Sequence, residues 1–318
     1  MSTLKPVYAL SISGRLTLEM HSLNNEGGEG NQTMTRMVAL VDTDGQVHKV
    51  NGISGDMFKH IQAEYLFHLA SEEGLPLCDG CKSFRSDRIL GDQNFLKELP
   101  NSDEEALTKL AKTCVIDELE GTLIAKGNKS IPRKSIAEFS WVVGIPEMVR
   151  TESYFHIRFA QEHGGDDDNK ASQPIFHRPA SSGIYASVAT FELARIGLND
   201  ISKRYVLSED ERLKRYRAFL KSVLYTYIQP AGAMRGTQNP HILNFEGVVT
   251  VSHQVLPAPT ISPLAEDYIQ QIQKVAESLD SGGAIDVLPF QNMSEFVSVM
   301  QSVINSTSPY TLFEKRGG

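Results

Sequence analysis

The residues best suited to chemistry in this chain are three cysteines. Cys78-Asp79-Gly80-Cys81 has the two-residue spacer that lets two thiolates reach one ion, and Cys114 lies in the same region. With His68 they would place three sulfurs and an imidazole around zinc. The competing reading is a reduced pair in a loop, and under either one the role is structural. Asp166, Asp167 and Asp168 are consecutive, so their carboxylates diverge and read as a solvated loop tip, not a cation cage. There is no GxSxG or HExxH, no strand-to-helix GxGxxG, and no GxxxxGK followed by Ser or Thr. His68 and Cys78 make no persuasive nucleophile pair.

A second set of polar residues suits binding. Asn24, Asn25 and Asn31 are interleaved with Gly27, Gly28 and Gly30 in LNNEGGEGNQ. Their amides can hydrogen-bond ribose and base edges, the groups by which single-stranded RNA is read. A plain flexible turn is the alternative. Arg15 and His21 stand on the strand before this loop; Arg15 either pairs a phosphate or is a solvated strand residue. Lys126, Lys129, Arg133 and Lys134 form the densest cationic run, with no acid among them, for which a solvated loop is the ordinary explanation.

These residues need elements to position them. Tyr8, Leu10, Ile12, Leu16, Leu18 and Met20 share one parity; Ser11, Ser13, Arg15, Thr17 and Glu19 share the other. That alternation predicts a long half-buried strand with one open polar face. An open face beside a glycine loop suits an extended ligand, RNA among them. Asp42-Thr43-Asp44-Gly45 reads as a hairpin turn. Helices are expected after Ser54, over 102–123, after Ser208, over 262–279 and over 294–304. Strands are expected over 139–143, 154–159, 184–193, 242–252 and 284–288. Two glycine- and proline-containing stretches, HGGDDDNKASQPIFHRPASSG and PAGAMRGTQNP, read as long loops. Trp141 and the aromatics from Phe219 to Tyr227 read as core. Residues 75–135 follow no clean period and read as an insertion. Hairpins interleaved with helices favour an α+β fold with an antiparallel sheet, ferredoxin-like or RRM-like, over a doubly wound parallel one.

Composition sets the outer bounds. The 318 residues are 41% hydrophobic and 22% charged, an ordinary globular profile with room for a large domain carrying an insertion. No apolar run approaches the ~20 residues of a membrane span, and no secretory leader is expected from the opening residues. Three cysteines are too few for a disulfide framework, so a reducing, cytoplasmic setting is expected. The net charge of −8 counts against a general nucleic-acid binder, because phosphate neutralisation supplies much of the affinity there. The field that matters is nevertheless local.

Three segments, taken in order, carry a resemblance: ISGRLTLEMHSLNNEGGEGNQT, FHRPASSGIYASVATFELARIG and PAGAMRGTQNPHIL. The ordered set resembles the backbone subunit of Cascade, the CRISPR surveillance complex (the Cas seven family), in its DevR-type autoregulator branch of type I-A and I-B systems. It covers most of the chain outside about 75–135, and no single motif is diagnostic alone. The resemblance implies an RRM-like (ferredoxin-like) antiparallel-sheet palm over 1–74 and 136–318, an inserted helical fingers subdomain over 75–135 and a thumb hairpin at about 161–182. It implies copies stacked head to tail on a CRISPR RNA, presenting the guide in short segments to target DNA. Partners would be other Cascade subunits of the Cas five and Cas eight types, or transposition proteins in some type I-B complexes, with no membrane. Phe176, His177 and Arg178 would be thumb contacts. The loop 232–239, with Arg235 and Gln238, would cradle phosphate through backbone N–H groups. Lys59 and His60 would reach phosphate from a helix start, and the Lys126–Lys134 run would face target DNA or a neighbouring subunit. No cofactor is required beyond the structural zinc that the cysteines admit. Type III relatives cut RNA with an aspartate in the N-terminal loop. Here that loop offers only Glu26 and Glu29, which points to a non-catalytic subunit; the alternative is an RNA-cutting or RNA-processing endoribonuclease on the same fold.

Overall fold

The computed structural model describes residues 4–29, 32–157, 175–232, 236–280 and 282–313. The first half runs β1 (Lys5–Val7), β2 (Ala9–His21), β3 (Asn25–Glu29), β4 (Gln32–Thr35), β5 (Met37–Val41), β6 (Val47–Ile53) and α1 (Gly55–Glu72). Short helices α2 (Asp79–Lys82), α3 (Gln93–Lys97), α4 (Asp103–Thr113) and α5 (Val115–Glu120) follow, then the hairpin β7 (Thr122–Lys126) and β8 (Lys129–Arg133). The second half holds β9 (Ala137–Phe139), β10 (Val142–Ile157), β11 (Ile175–Phe191), α6 (Glu209–Ile228), β12 (His241–Ser252), α7 (Tyr268–Leu279), β13 (Ile285–Phe290), α8 (Met293–Ser306) and β14 (Thr307–Pro309). The main sheet is ordered β13-β12-β2-β11-β10-β6-β5, antiparallel between neighbours, which makes this an α+β fold.

The capping residues do what their types predict. Ser54, Ser102 and Ser208 each accept a hydrogen bond from the backbone N–H three residues on, fixing the starts of α1, α4 and α6. Helices α1, α6 and α8 cover one sheet face, on which Leu10, Ile12, Leu16 and Leu18 are fully buried. Aromatic rings lock that layer: Tyr227 of α6 stacks on Phe245 of β12 at 4.7 Å, and Phe296 of α8 meets the same ring edge-on at 4.8 Å. As expected, Phe219 and Tyr227 are core.

The other face is not open along its first half, contrary to what the alternation of β2 suggests. Ser11 donates to the Ala258 carbonyl, and Ser11 and Ser13 are 1% exposed. The segment leading into α7 covers them, with Val248 packed against Tyr268 and Ile272. The helix expected over 262–279 begins only at Tyr268, and the turn before it presents carbonyls to the sheet.

A crease crosses the sheet at one level. The β2–β11 register shifts between Gly183 and Ser181, the β2–β12 register between Ile242 and Asn244, and the β10–β11 register between Gly144 and Val149. All three lie opposite or next to Thr17 and Leu18. A Cβ on Gly183, at φ +146°, would stand 2.2 Å from the Met148 carbonyl oxygen, so only glycine fits there. On β2 the interruption falls at Met20, whose φ is 55°. Parity therefore reverses: Met20 is exposed and His21 is buried, the opposite of the sequence pattern. The strand expected over 139–143 falls on the end of β9 and the start of β10, and β10 runs on past this bulge into the described part of the strand expected over 154–159.

Residues 75–135 carry α2 to α5 and β7–β8, and their apolar side chains share one cluster with α1 and α6. The helix expected over 102–123 is broken at Cys114, which is extended. Among the described residues, no helix is long and apolar enough to cross a membrane. Asp166 to Asp168 and most of the expected thumb lie outside the described residues.

Candidate nucleic-acid interface

Three segments distant in sequence meet above the crease. His177 of β11 pairs with Gln32 of β4. Arg178 Nη1 donates to Thr237 Oγ1 at 3.3 Å, and Gln238 Nε2 to the Pro179 carbonyl at 3.3 Å. Ser182 Oγ accepts from Met20 N, and the Asn24 carbonyl accepts from Arg36 N. The hairpin β3–β4, the start of β11 and the loop before β12 thus form one continuous end of the sheet. Of the residues named from sequence, Asn24, Asn25, Phe176, His177, Arg178 and Gln238 belong to it; Asn31 and Arg235 lie outside the described residues.

Two of these are corrected in orientation. His21 is fully buried, its ring edge-on to Tyr185 at 5.0 Å, and neither ring nitrogen has a partner among the described residues. Desolvation pulls its pKa down to about 4, so it stays neutral and offers no cation to phosphate. Asn24 is 5% exposed, with both amide atoms unpartnered. A buried amide and imidazole without hydrogen bonds are costly, and they sit directly beneath the loop end.

Other expected contacts are used elsewhere in the chain. Arg15 donates to the Pro263 and Ala265 carbonyls at 3.0 and 3.3 Å and lies over the Tyr268 ring, which ties down the α7 segment. Lys59 and His60 turn toward the insertion. Burial draws the Lys59 pKa down while Glu120 opposes it, and the His60 ring packs at a tilt against Phe84 at 5.4 Å beside a cavity of about 220 Å³. The cationic run does not form one face. Arg133 is interior, bonded to Glu118, Asp200 and the carbonyls of Glu118, Arg195 and Leu198. Lys126 caps the Leu96 carbonyl, Lys129 the Pro100 and Asn101 carbonyls, and Lys134 pairs with Glu138 and Glu192.

The structure adds surface residues that the sequence did not single out. Phe155, across from His177, is 67% exposed, and Tyr154, across from Arg178, is 38% exposed and touches Met20. The signal was three bulky residues in a row, Tyr154-Phe155-His156, where a one-sided strand would alternate with small polar ones. Trp141 is also corrected: it is surface-exposed, with the Arg36 guanidinium 5.1 Å above its ring.

The cysteine cluster is elsewhere, in the insertion. Cys78, Cys81 and Cys114 converge, and Asp117 joins them, the four ligand atoms lying within 4.8 Å of one another. His68 is exposed and takes no part. Burial pushes the Asp117 carboxyl up to about 7. Hydrogen bonds with Cys114 and Cys81 draw the Cys78 thiol down to about 5, while Cys81 is raised by its hydrogen bonds with Cys114 and Cys78, and Cys114 by burial. Four acidic groups therefore compete for few protons in one dry site, an arrangement that can bind a metal ion.

The model of one family, described as CRISPR-associated negative auto-regulator DevR/Csa2, matches residues 12–273. The chain belongs to the DevR/Csa2 family. A curated relative from Methanocaldococcus jannaschii, "CRISPR-associated protein Cas7/Cst2/DevR", is 24% identical over 293 residues, covering 85% of this chain and 88% of that protein. A chain of a solved "CRISPR RNA-guided surveillance complex" shares the fold of this DevR/Csa2 member, with a TM-score of 0.50 at 13% identity over 93% of this chain and 98% of that one.

Proposed function

We propose that this DevR/Csa2 member is a non-catalytic CRISPR RNA-binding backbone subunit of a type I surveillance complex, acting in the cytoplasm. The observation that carries the reading is the meeting of the β3–β4 hairpin, the start of β11 and the loop before β12 at one end of the sheet. Residues 1–74 and 136–318 would act as an RRM-like palm, about 161–182 as the thumb and 75–135 as fingers. Copies would repeat along the RNA, with each contacting few phosphates, which accommodates the net charge of −8. Exposed aromatics would stack on bases without reading sequence, as a guide of variable sequence requires. Target DNA and subunits of the Cas five and Cas eight types would complete the assembly, and a structural metal in the cysteine cluster would be its only cofactor.

The test is a binding and integrity assay with the full chain and labelled single-stranded RNA carrying a CRISPR repeat. The expected result is cooperative coating with the RNA intact, with or without magnesium. Reproducible cleavage that disappears in Glu26→Ala or Glu29→Ala would replace this reading with the endoribonuclease one. Absence of any RNA binding would remove both.

A further inference from the structure

We infer that Cys78, Cys81, Cys114 and Asp117 are the complete ligand set of a structural zinc site. The ligands form two pairs with the same spacing. Cys78 and Cys81 are separated by two residues, and so are Cys114 and Asp117. Each first cysteine sits just ahead of a short helical turn and each second ligand lies inside that turn: α2 for one pair, α5 for the other. The second pair is hidden in the sequence because its second member is a carboxylate and because Cys114 reads as mid-helix.

The geometry fits one tetrahedral ion. Zinc–sulfur bonds of about 2.3 Å put tetrahedral ligand atoms about 3.8 Å apart, and here all four lie within 4.8 Å of one another. Asp117 is already oriented: one oxygen accepts from the Ile89 N–H, while the other faces the Cys78 and Cys81 sulfurs at 3.2 and 3.5 Å. Cys81 N–H points at the Cys78 sulfur, and Asp117 N–H at the Cys114 sulfur. These outer hydrogen bonds fix ligands in metal sites and favour thiolate.

Charge points the same way. All four residues are buried, and a carboxylate enclosed with three thiols needs compensation. A dication supplies it only in part, because the three thiol protons leave to solvent and the three thiolates with the carboxylate outweigh its charge, and Arg88 adds positive charge nearby. Three sulfurs select a soft or borderline metal over magnesium or calcium. A dithiol–disulfide couple would use Cys78 and Cys81 but would leave Cys114 and the buried Asp117 without a role. Four protein ligands leave no open position, so the ion is structural. It clamps the turn at 78–81 to the one at 114–117, beside the backbone bond from Val115 N to the Pro76 carbonyl. This inference is independent of RNA binding.

The full chain, purified under reducing conditions without added metal, should retain about one zinc per chain by mass spectrometry of metals. Mercurial titration should release that zinc in step with about three thiols. Asp117→Asn and Cys114→Ser should lose zinc to a competing chelator at least about tenfold faster than the parent. Should those variants fail to fold, the parent reconstituted with Co(II) decides the matter through its thiolate-to-cobalt charge-transfer band, whose intensity counts sulfurs. Zinc far below stoichiometry together with no such band overturns the assignment. So does a stoichiometric metal other than zinc, or a site unaffected by Asp117→Asn.

Discussion

In the insertion, buried charges answer one another: Arg133 reaches Glu118 at 2.9 Å and Asp200 at 2.7 Å, and Glu118 also accepts from the Gly197 N–H. At the loop end of the sheet, His21 and Asn24 are equally enclosed but unanswered among the described residues, and Phe155, across from His177, stands in solvent. The first pattern belongs to a scaffold, where Arg133 and one Glu118 oxygen answer each other, although Glu120 in the same helix is buried with both carboxylate oxygens unpartnered among the described residues. The second belongs to a surface that keeps polar and aromatic capacity for something outside the chain. Cations in the insertion hold the fold; unpartnered buried groups occur both there, at Glu120, and at the loop end of the sheet, at His21 and Asn24.

The contrast breaks most sharply at Arg133. Arg133→Ala leaves buried Glu118 with only the Gly197 N–H and the more distant Arg215 at 3.5 Å, so urea denaturation should report a loss of about 3–5 kcal/mol. Lysine should not rescue it, because the guanidinium reaches two carboxylates and three carbonyls at once. RNA affinity per folded molecule should stay put; a selective loss of affinity would erase the distinction between the two regions.

His21 comes next. Its pKa is about 4 in the fold and 6.5 in the free side chain. The unfolded chain therefore binds the proton first as pH falls, and stability present above about pH 6.5 drains away toward pH 4. The size is on the order of 3 kcal/mol. Comparing urea midpoints at pH 7 and 4.5 tests this, and His21→Leu should flatten the difference; an unchanged slope in the variant would acquit His21.

Phe155→Ala should weaken RNA binding by about 1–3 kcal/mol if a base stacks there, with stability moved by less than about 0.5 kcal/mol. Equal losses in binding and stability would instead mark a packing residue. Arg178→Ala should lower the salt dependence of RNA binding by about one ion. The smallest effect is expected at Lys134, whose exposed pairs with Glu138 and Glu192 are worth no more than about 1 kcal/mol together.

What the sequence made legible was local. Ser54, Ser102 and Ser208 announced helix starts because a cap is a contact between near neighbours. The hairpin at Asp42–Gly45 was equally plain, and the core parity of β2 held as far as Leu18. The misses all needed partners far along the chain. Arg133 looked like a surface cation because Glu118, Asp200 and the 195–198 carbonyls come to it only in the fold. Arg15 was drawn to Pro263 and Ala265 by the same long-range closure. Asp117 was invisible as a ligand until Cys114 was found outside a helix. Of the candidate interface, sequence order identified the three segments, and only packing revealed that they meet.

The crease has a mechanical meaning of its own. A sheet resists bending through its unbroken rows of hydrogen bonds; one whose register slips at the same height on β2, β10, β11 and β12 behaves like a plate scored along a line. The helix-covered half stays stiff. The half bearing Met20, Tyr154 and Arg178 lies beyond that line, so a bend placed there would spare the packing beneath the helix-covered half.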